Sequence, residues 1–222
     1  MAAIHTVTQG EHLSGIAHAY GFSDYRAIWN HPDNAALKQM RQNPNVLYPG
    51  DQVIIPDKNA REYGRPTDQK HSFILKTTPL TLQLKLGRIY DKPIASTPCE
   101  LFLGLERVAL TSDSQGKIVQ EIAPTLAGAR LVIKDQVTAK GRQVPFETEL
   151  TLKIGYLDPV DELSGQVARL SNLGYYRSSL DEADAAEFQS AVEEFQCENG
   201  LNPPDGICGP ITQAKLKQVH GC

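Results

Sequence analysis

The sequence predicts an α+β multidomain protein, and three observations carry that prediction. Residues 1–58 read as strand, helices, strand, a βααβ arrangement. Residues 73–157 hold short apolar runs, several with period two, the mark of an all-β domain with one buried face. Residues 158–222 carry three apolar stripes at helical spacing. Between the first two domains, residues 59–72 are charged, hold Gly and Pro and have few apolar side chains, as a linker does. A chain of 222 residues suits two or three small domains of this kind.

In the first domain Ile4–Val7 is a β-prone run, and Gln9-Gly10 makes a turn. Leu13, Ile16, Ala17 and Tyr20 then form one helix face, which Gly21 ends. A second helical stretch holds Tyr25, Ile28 and Trp29, and a third short one, after "HPDN", holds Leu37 and Met40. Pro44 and the Pro49-Gly50 turn stop the helical pattern. Gln52–Ile55 is the second strand, able to pair antiparallel with the first while the helices pack on one face. Within "NVLYPGDQVIIP", Leu47, Val53 and Ile55 are assigned to the core, and Asn45, Val46 and Tyr48 to an exposed edge.

In the second domain "FILKT", "LTLQLKL", "CELFLGL", "KIVQEIA", "ARLVIKDQV" and "TELTLKIGYL" are the candidate strands. Leu80, Leu82, Leu84 and Leu86 alternate with polar residues, and turns recur every ten residues or so, which points to a sandwich. "TSDSQGK" reads as a hairpin turn, with Gly116 free to take a positive φ. In the third domain Leu163, Val167, Leu170 and Leu173 mark one helix, ending at Gly174. Phe188, Val192 and Phe195 mark the next, ending at Gly200, and Pro210 opens a third that ends at Gly221. Helices this short are marginal alone, so the three must share a core.

The net charge of -4 gives no general attraction for nucleic acid or anionic lipid, so no nucleic-acid partner is expected. No apolar run approaches the roughly 20 residues that cross a bilayer, so no membrane insertion is expected. "MAAIHTVTQGEHL" lacks the basic start and apolar stretch of a secretory signal peptide. No catalytic constellation is found. Neither G-x-S-x-G nor C-G-x-C-W occurs, and His12 and His18 fall on different helix faces. Asp158, Asp161 and Glu162 precede the Leu163 helix, and Asp181, Glu182 and Asp184 precede the next, where acids cap helices and offset their dipoles. The expectation is no catalytic residue, no metal and no cofactor. Of four cysteines, Cys197 and Cys208 flank a short loop and are the candidate disulfide, with free thiols an equal alternative. A zinc site from Cys208, His220 and Cys222 is the third choice, with no C-x-x-C pair to favour it.

The first domain resembles a LysM domain. The resemblance rests on Val7, Gly10, Leu13, Ile16, Ala17, Tyr20 and Gly21, then Asn43, Pro44, Leu47, Pro49, Gly50, Val53, Ile55 and Pro56, in the family's order. It implies a glycan groove between two loops, here Gln9, Gly10, Glu11, His12 and Leu13 on one side and Asn45, Val46, Leu47, Tyr48 and Pro49 on the other. Tyr48 is the residue best suited to stack on a sugar, and Leu47 is better suited to the core. The middle, about Ser23–Gln42, is longer than in the usual domain, with "WNHPDNAALKQMR" inserted. This resembles the variant found in contractile injection machines, which implies a protein contact as the alternative use; exposed Trp29, Leu37 and Met40 would serve it.

The third domain resembles the three-helix peptidoglycan-binding domain. The matching residues are Leu170, Leu173, Gly174 and Tyr175, then Ala191, Phe195, Gln196, Gly200 and Leu201, then Asp205, Gly206, Gly209, Pro210, Thr212 and Leu216. A D-G-x-x-G loop should also follow Tyr176, where "RSSLDEADAAEF" stands instead. The implied contacts are Tyr175, Tyr176 and Asp205, with Gly206 and Gly209 shaping the loop. The middle domain resembles an Ig-like or transthyretin-like sandwich used as a spacer. Together the three resemble accessory proteins encoded with type VI secretion spikes. That implies a non-catalytic peptidoglycan-binding protein, cargo or adaptor of a spike protein. It would be made in the cytoplasm and would act in the periplasm or be exported by the contractile machine. A structural adaptor that docks the spike is the alternative, and a peptidoglycan hydrolase with its centre in the middle domain is a third reading.

Overall fold

Strands β1 (Ala3–Thr6) and β2 (Gln52–Ile55) pair antiparallel, from Ala3 opposite Ile55 to Thr6 opposite Gln52. This computed structural model describes residues 3–58, 64–72, 78–88, 92–139, 142–177 and 184–222. Two units are distinguished, Met1–Met40 with Pro49–Tyr156 and Arg41–Tyr48 with Leu157–Cys222. The segments expected as a first and a second domain thus contribute to one unit. The loop before Pro49 belongs to the other.

In the first unit, α1 (Leu13–Ala19) buries Leu13, Ile16 and Ala17, the face that the spacing predicts. It closes on Gly21 at φ 70°, where Phe22 N–H reaches Ala17 O and Gly21 N–H reaches His18 O. A left-handed residue is needed to make that pair of bonds, and glycine adopts it without a Cβ penalty. After α2 (Arg26–Trp29) come a 3-10 turn at Pro32–Asn34 and α3 (Ala35–Arg41), so the inserted stretch adds a third helix to the βααβ outline. Trp29 and Leu37 are buried, at 7% and 6% exposure, and only Met40 of the three is exposed. The insertion therefore packs Trp29 and Leu37 inward and leaves Met40 at the surface. Asn34 fixes it to the sheet: its Nδ2 donates to Ile28 O at 2.9 Å and Ile54 O at 2.7 Å, and its Oδ1 accepts from Ile54 N–H at 2.8 Å. A buried amide here does the work of a third strand, satisfying the free edge of β2.

In the same unit β3 (Leu80–Lys85) is followed by β4 (Gly87–Arg88), which pairs with β5 (Lys92–Pro93). Then come β6 (Pro98–Leu103), β7 (Glu106–Thr111), β8 (Lys117–Ile122), β9 (Gly128–Ala139) and β10 (Arg142–Lys153). A four-stranded antiparallel sheet has the order β10-β9-β6-β7, and β3 pairs with β8 in a second sheet. Leu101, Leu131 and Ile133 of the first sheet share a core with Ile118 and Ile122 of the second, and Leu80, Leu82 and Leu84 pack against it. Their alternation is the predicted one. The "FILKT" stretch at 73–77 lies outside the described residues. "TSDSQGK" is not a hairpin: it joins β7 to β8, which lie in different sheets. Asp113 holds this turn by accepting from the backbone N–H of Gln115 and of Lys117, each at 2.8 Å, and these bonds hold its carboxyl below the usual range.

The second unit contains α4 (Leu163–Leu173), α5 (Ala185–Glu198) and α6 (Pro210–His220) around Val167, Leu170, Val192, Phe195 and Leu216. Leu163, expected on the inner face, is 56% exposed, because α4 turns its first residue outward. Arg169 is buried in this core at 1% exposure. Its Nε donates to Cys222 O at 2.8 Å and its Nη1 to Asp158 O and Gly165 O at 2.8 and 2.7 Å. Burial pulls its pKa down, opposed by the charges around Cys222 and Asp158. Asp158 also accepts the Ser164 hydroxyl at 2.6 Å, whereas Glu162 occupies the cap position with no side-chain bond. Asp184 does cap α5, accepting from Ala186 N–H at 2.8 Å; Asp181 and Glu182 lie outside the described residues. Among the described residues no helix is long and apolar enough to cross a membrane.

Candidate functional site

The loop between α5 and α6 is organised by one buried side chain. The stripe that buries Val192 and Phe195 also turns Gln196 inward, to 3% exposure. Gln196 Nε2 lies 2.9 Å from Asp205 Oδ1, 3.1 Å from Ile207 O and 3.0 Å from Thr212 Oγ1, and its Oε1 accepts from Gly206 N–H at 3.0 Å. Asp205 also accepts from Ile207 N–H at 2.9 Å. That bond and the one from Gln196 hold its carboxyl below the ordinary value. Asp205 is thus spent on its own turn. Gly206 sits at φ 70°, and a Cβ there would stand 2.4 Å from Gln189 Cγ, so this position needs glycine twice over. Gly209 does not: its φ is -75°, and a Cβ would meet nothing within 4 Å. Its part is to precede Pro210 at the start of α6.

The two tyrosines separate. Tyr175 is half-buried, set edge-on to Phe195 at 5.5 Å, with its hydroxyl donating to Glu198 Oε2 at 2.7 Å. Tyr176, expected as a contact, is a core residue at 2% exposure, because the chain leaving Gly174 alternates one ring out and one ring in. Ile207 and Ile211, which sequence reasoning passed over, are 66% and 76% exposed beside the Gln196-held loop. With half-buried Tyr175 they are apolar groups that this unit turns to solvent near the loop. Their signal was available, since Ile207 is the first free position of the D-G-x-x-G loop.

Residues 167–216 match the family model described as "Putative peptidoglycan binding domain". The chain therefore carries a C-terminal peptidoglycan-binding domain. The match spans α4 to α6 with the Gln196-held loop between them, and not the segments before it. No curated protein and no solved structure matches the chain.

The four thiols of the chain form no bridge; in the peptidoglycan-binding domain Cys197 and Cys208 are both free. Gln196 faces the loop, so Cys197, one residue on around α5, faces solvent, while Cys208 packs partly on the core. Burial pushes the Cys208 thiol up to about 11. His220 is pulled down to about 4, by burial first and by Arg169 second. Its Nδ1 lies 3.2 Å from Cys222 Sγ, and its Nε2 lies 3.1 Å from Asn172 Nδ2. The described residues contain no group of three or more His, Cys, Asp or Glu able to hold a metal.

The two expected groove loops of the N-terminal segment fall in different units. In the first, Leu13 is core at 0% exposure. His12 is buried, and its Nδ1 caps α1 by accepting from Gly15 N–H at 3.2 Å; burial lowers its pKa, against a raising effect of Glu11. Glu11 accepts from Thr8 N–H at 2.7 Å and lies 3.0 Å from His5 Nε2. Burial raises its pKa, but these bonds outweigh it and hold the carboxyl low. Gly10, at φ 90°, lies under the Tyr156 ring, which a Cβ would approach to 2.8 Å. Of the five, Gln9 alone is exposed. In the second loop Val46, expected at the exposed edge, is buried with Leu47, at 7% and 3%. Asn45 is half-buried, and Pro49 is exposed at the start of the other unit. Tyr48 is half-buried, its ring 5.6 Å from the Arg41 guanidinium, which itself lies 3.9 Å from Asp161. Most of the expected groove residues therefore serve the fold.

Proposed function

We propose that the protein is a non-catalytic peptidoglycan-binding protein that holds the cell wall through its C-terminal domain. The observation that carries this reading is the family match over a three-helix unit whose D-G-x-x-G loop is fully hydrogen-bonded by Gln196. A pre-ordered loop loses little entropy on binding, and the exposed Ile207 and Ile211 offer apolar contact to sugar faces. The test is retention of the full chain on purified, insoluble sacculi. Ile207→Glu, at an exposed position, should cut retention without moving the unfolding midpoint. Unchanged retention would remove the loop from the binding surface. Incubated sacculi should release no soluble fragments, and release would refute the non-catalytic part.

The finer reading adds a LysM-like N-terminal segment, a β-sandwich spacer and service as cargo or adaptor of a type VI secretion spike, made in the cytoplasm and acting in the periplasm or exported by the contractile machine. Its support is the sequence resemblance. A second reading gives the N-terminal segment a protein partner in place of glycan. It is favoured by one observation: Leu13, His12, Val46 and Leu47 are buried, so little of the expected groove is open to sugar. Co-purification with a spike protein encoded alongside would distinguish the two.

A further inference from the structure

The outer face of the four-stranded sheet is built like a ligand trough. Along β10, Glu147, Glu149, Thr151 and Lys153 alternate onto this face, opposite Lys134, Val132 and Arg130 of β9. Two shallow hollows lie along it, of about 460 and 450 Å³. Both are within the size range of small-ligand sites. They share one ridge, where the Arg130 guanidinium stacks 4.0 Å over the Phe102 ring.

The hollows have opposite character. The first has a floor of Ala127, Gly128 and Ala129, with Thr151, Lys153 and Tyr156 around it. The second is lined by Glu100, Glu147 and Glu149, with Lys134. Most of these charges are matched: Glu149 pairs with Arg130 at 3.1 Å, and Glu100 with Lys134 and Arg107. Two are not. Among the described residues, neither lies in an ion pair: Lys153 meets the Tyr156 ring, at 5.9 Å, and Glu147 stands opposite Lys134, whose ammonium is paired with Glu100. These two unmatched charges stand at opposite ends of the trough, six residues apart on β10, which is about 20 Å.

We propose that this trough binds the peptide part of the wall polymer, with a ligand carboxylate at Lys153 and a ligand amine at Glu147. The inference rests on the wall-binding reading and extends it to a second site. An extended peptide of about six residues covers the same 20 Å. A bare glycan fits less well. One face of Phe102 is already taken by Arg130, and a neutral sugar would leave both end charges unused. Crosslinked wall peptides carry both kinds of charge.

The full chain is titrated with two soluble probes: disaccharide-peptide fragments released from sacculi by a muramidase, and the same disaccharide after an amidase has removed its peptide. Lys153→Glu and Glu147→Lys lie at exposed positions, and unchanged unfolding midpoints confirm intact folds. Each reversal should weaken the peptide-bearing fragment by about fivefold and leave the peptide-free disaccharide unaffected. Unchanged affinity for the peptide-bearing fragment, or equal loss on both probes, would overturn the proposal. If the reversals change nothing while Ile207→Glu still lowers sacculus retention, the wall reading stands and this one falls. If the wild-type chain binds neither sacculi nor fragments, both fall.

Discussion

Tyr176 and Asn34 show how differently two buried polar side chains can act. The Tyr176 hydroxyl is buried with no hydrogen-bond partner among the described residues. An unpaired buried hydroxyl costs about 1–3 kcal/mol. Tyr176→Phe keeps the ring and removes that cost, so it should raise the free energy of unfolding by about 1 kcal/mol in chemical denaturation. A loss of more than that would mean that the hydroxyl has a partner. Asn34 is the opposite case, since Asn34→Ala strands both backbone groups of Ile54 and leaves the Ile28 carbonyl with the His31 N–H alone. Destabilisation of about 2–3 kcal/mol is expected, and a change near zero would show that water replaces the amide. Neither role was legible in the sequence. A tyrosine beside a helix end reads the same whether its ring turns in or out, and an asparagine in "HPDN" reads as turn chemistry. The choice is made by partners distant in the chain, Ile54 lying 20 residues from Asn34.

Helix ends and strand faces were legible because their causes are local. Gly21, Gly174 and Gly200 stop their helices where the apolar stripes stop, and Leu80, Leu82 and Leu84 face one core as their period requires. Pairing was not legible, because it is not local. β7, "ERVALT", carries two charged residues at its start and escaped notice, and its turn then passed for a hairpin. The α5–α6 loop lies between these cases. Gln196 and Gly206 were visible as residues, but the four bonds that join Gln196 to its neighbours were not. Gln196→Ala should cost about 2–3 kcal/mol and lower sacculus retention, with hydrogen exchange at Gly206 and Ile207 accelerated. Retention at the wild-type level with fast exchange would separate loop order from binding. His220 makes the same unit sensitive to acid. Its folded pKa, about 4, lies below the ordinary 6.5, so the unfolded chain takes the proton first. Stability from the neutral ring is therefore present above about 6.5 and is lost as pH falls toward about 4. An NMR titration of His220 with a midpoint near 6.5 would contradict this.

For the whole chain, the question is whether one wall contact acts or several. The helical domain was recognisable because its glycines, Gln196 and core residues lie in a fixed order within one stretch. The resemblance expected of the N-terminal segment also runs in order, yet its expected groove is largely buried, because residues such as His12 and Val46 are used by the fold. Order in sequence carries over to structure more surely than exposure does. If the C-terminal loop were the single contact, affinity for polymeric sacculi, expressed per binding site, would equal that for a soluble fragment. A second contact on the same chain makes the next binding event intramolecular, which can raise avidity by about 10²–10⁴ over either site alone. With the trough engaged, the wild-type chain should therefore bind sacculi far more tightly than fragments. Ile207→Glu and Lys153→Glu should each collapse most of that gain, because avidity is lost with either site. Combining them should add little further loss on sacculi, whereas on fragments their effects should remain separate. Equilibrium sedimentation with sacculi, set beside calorimetry with the soluble probes, measures both quantities. Equal per-site affinities on the two substrates would show that a single domain holds the wall.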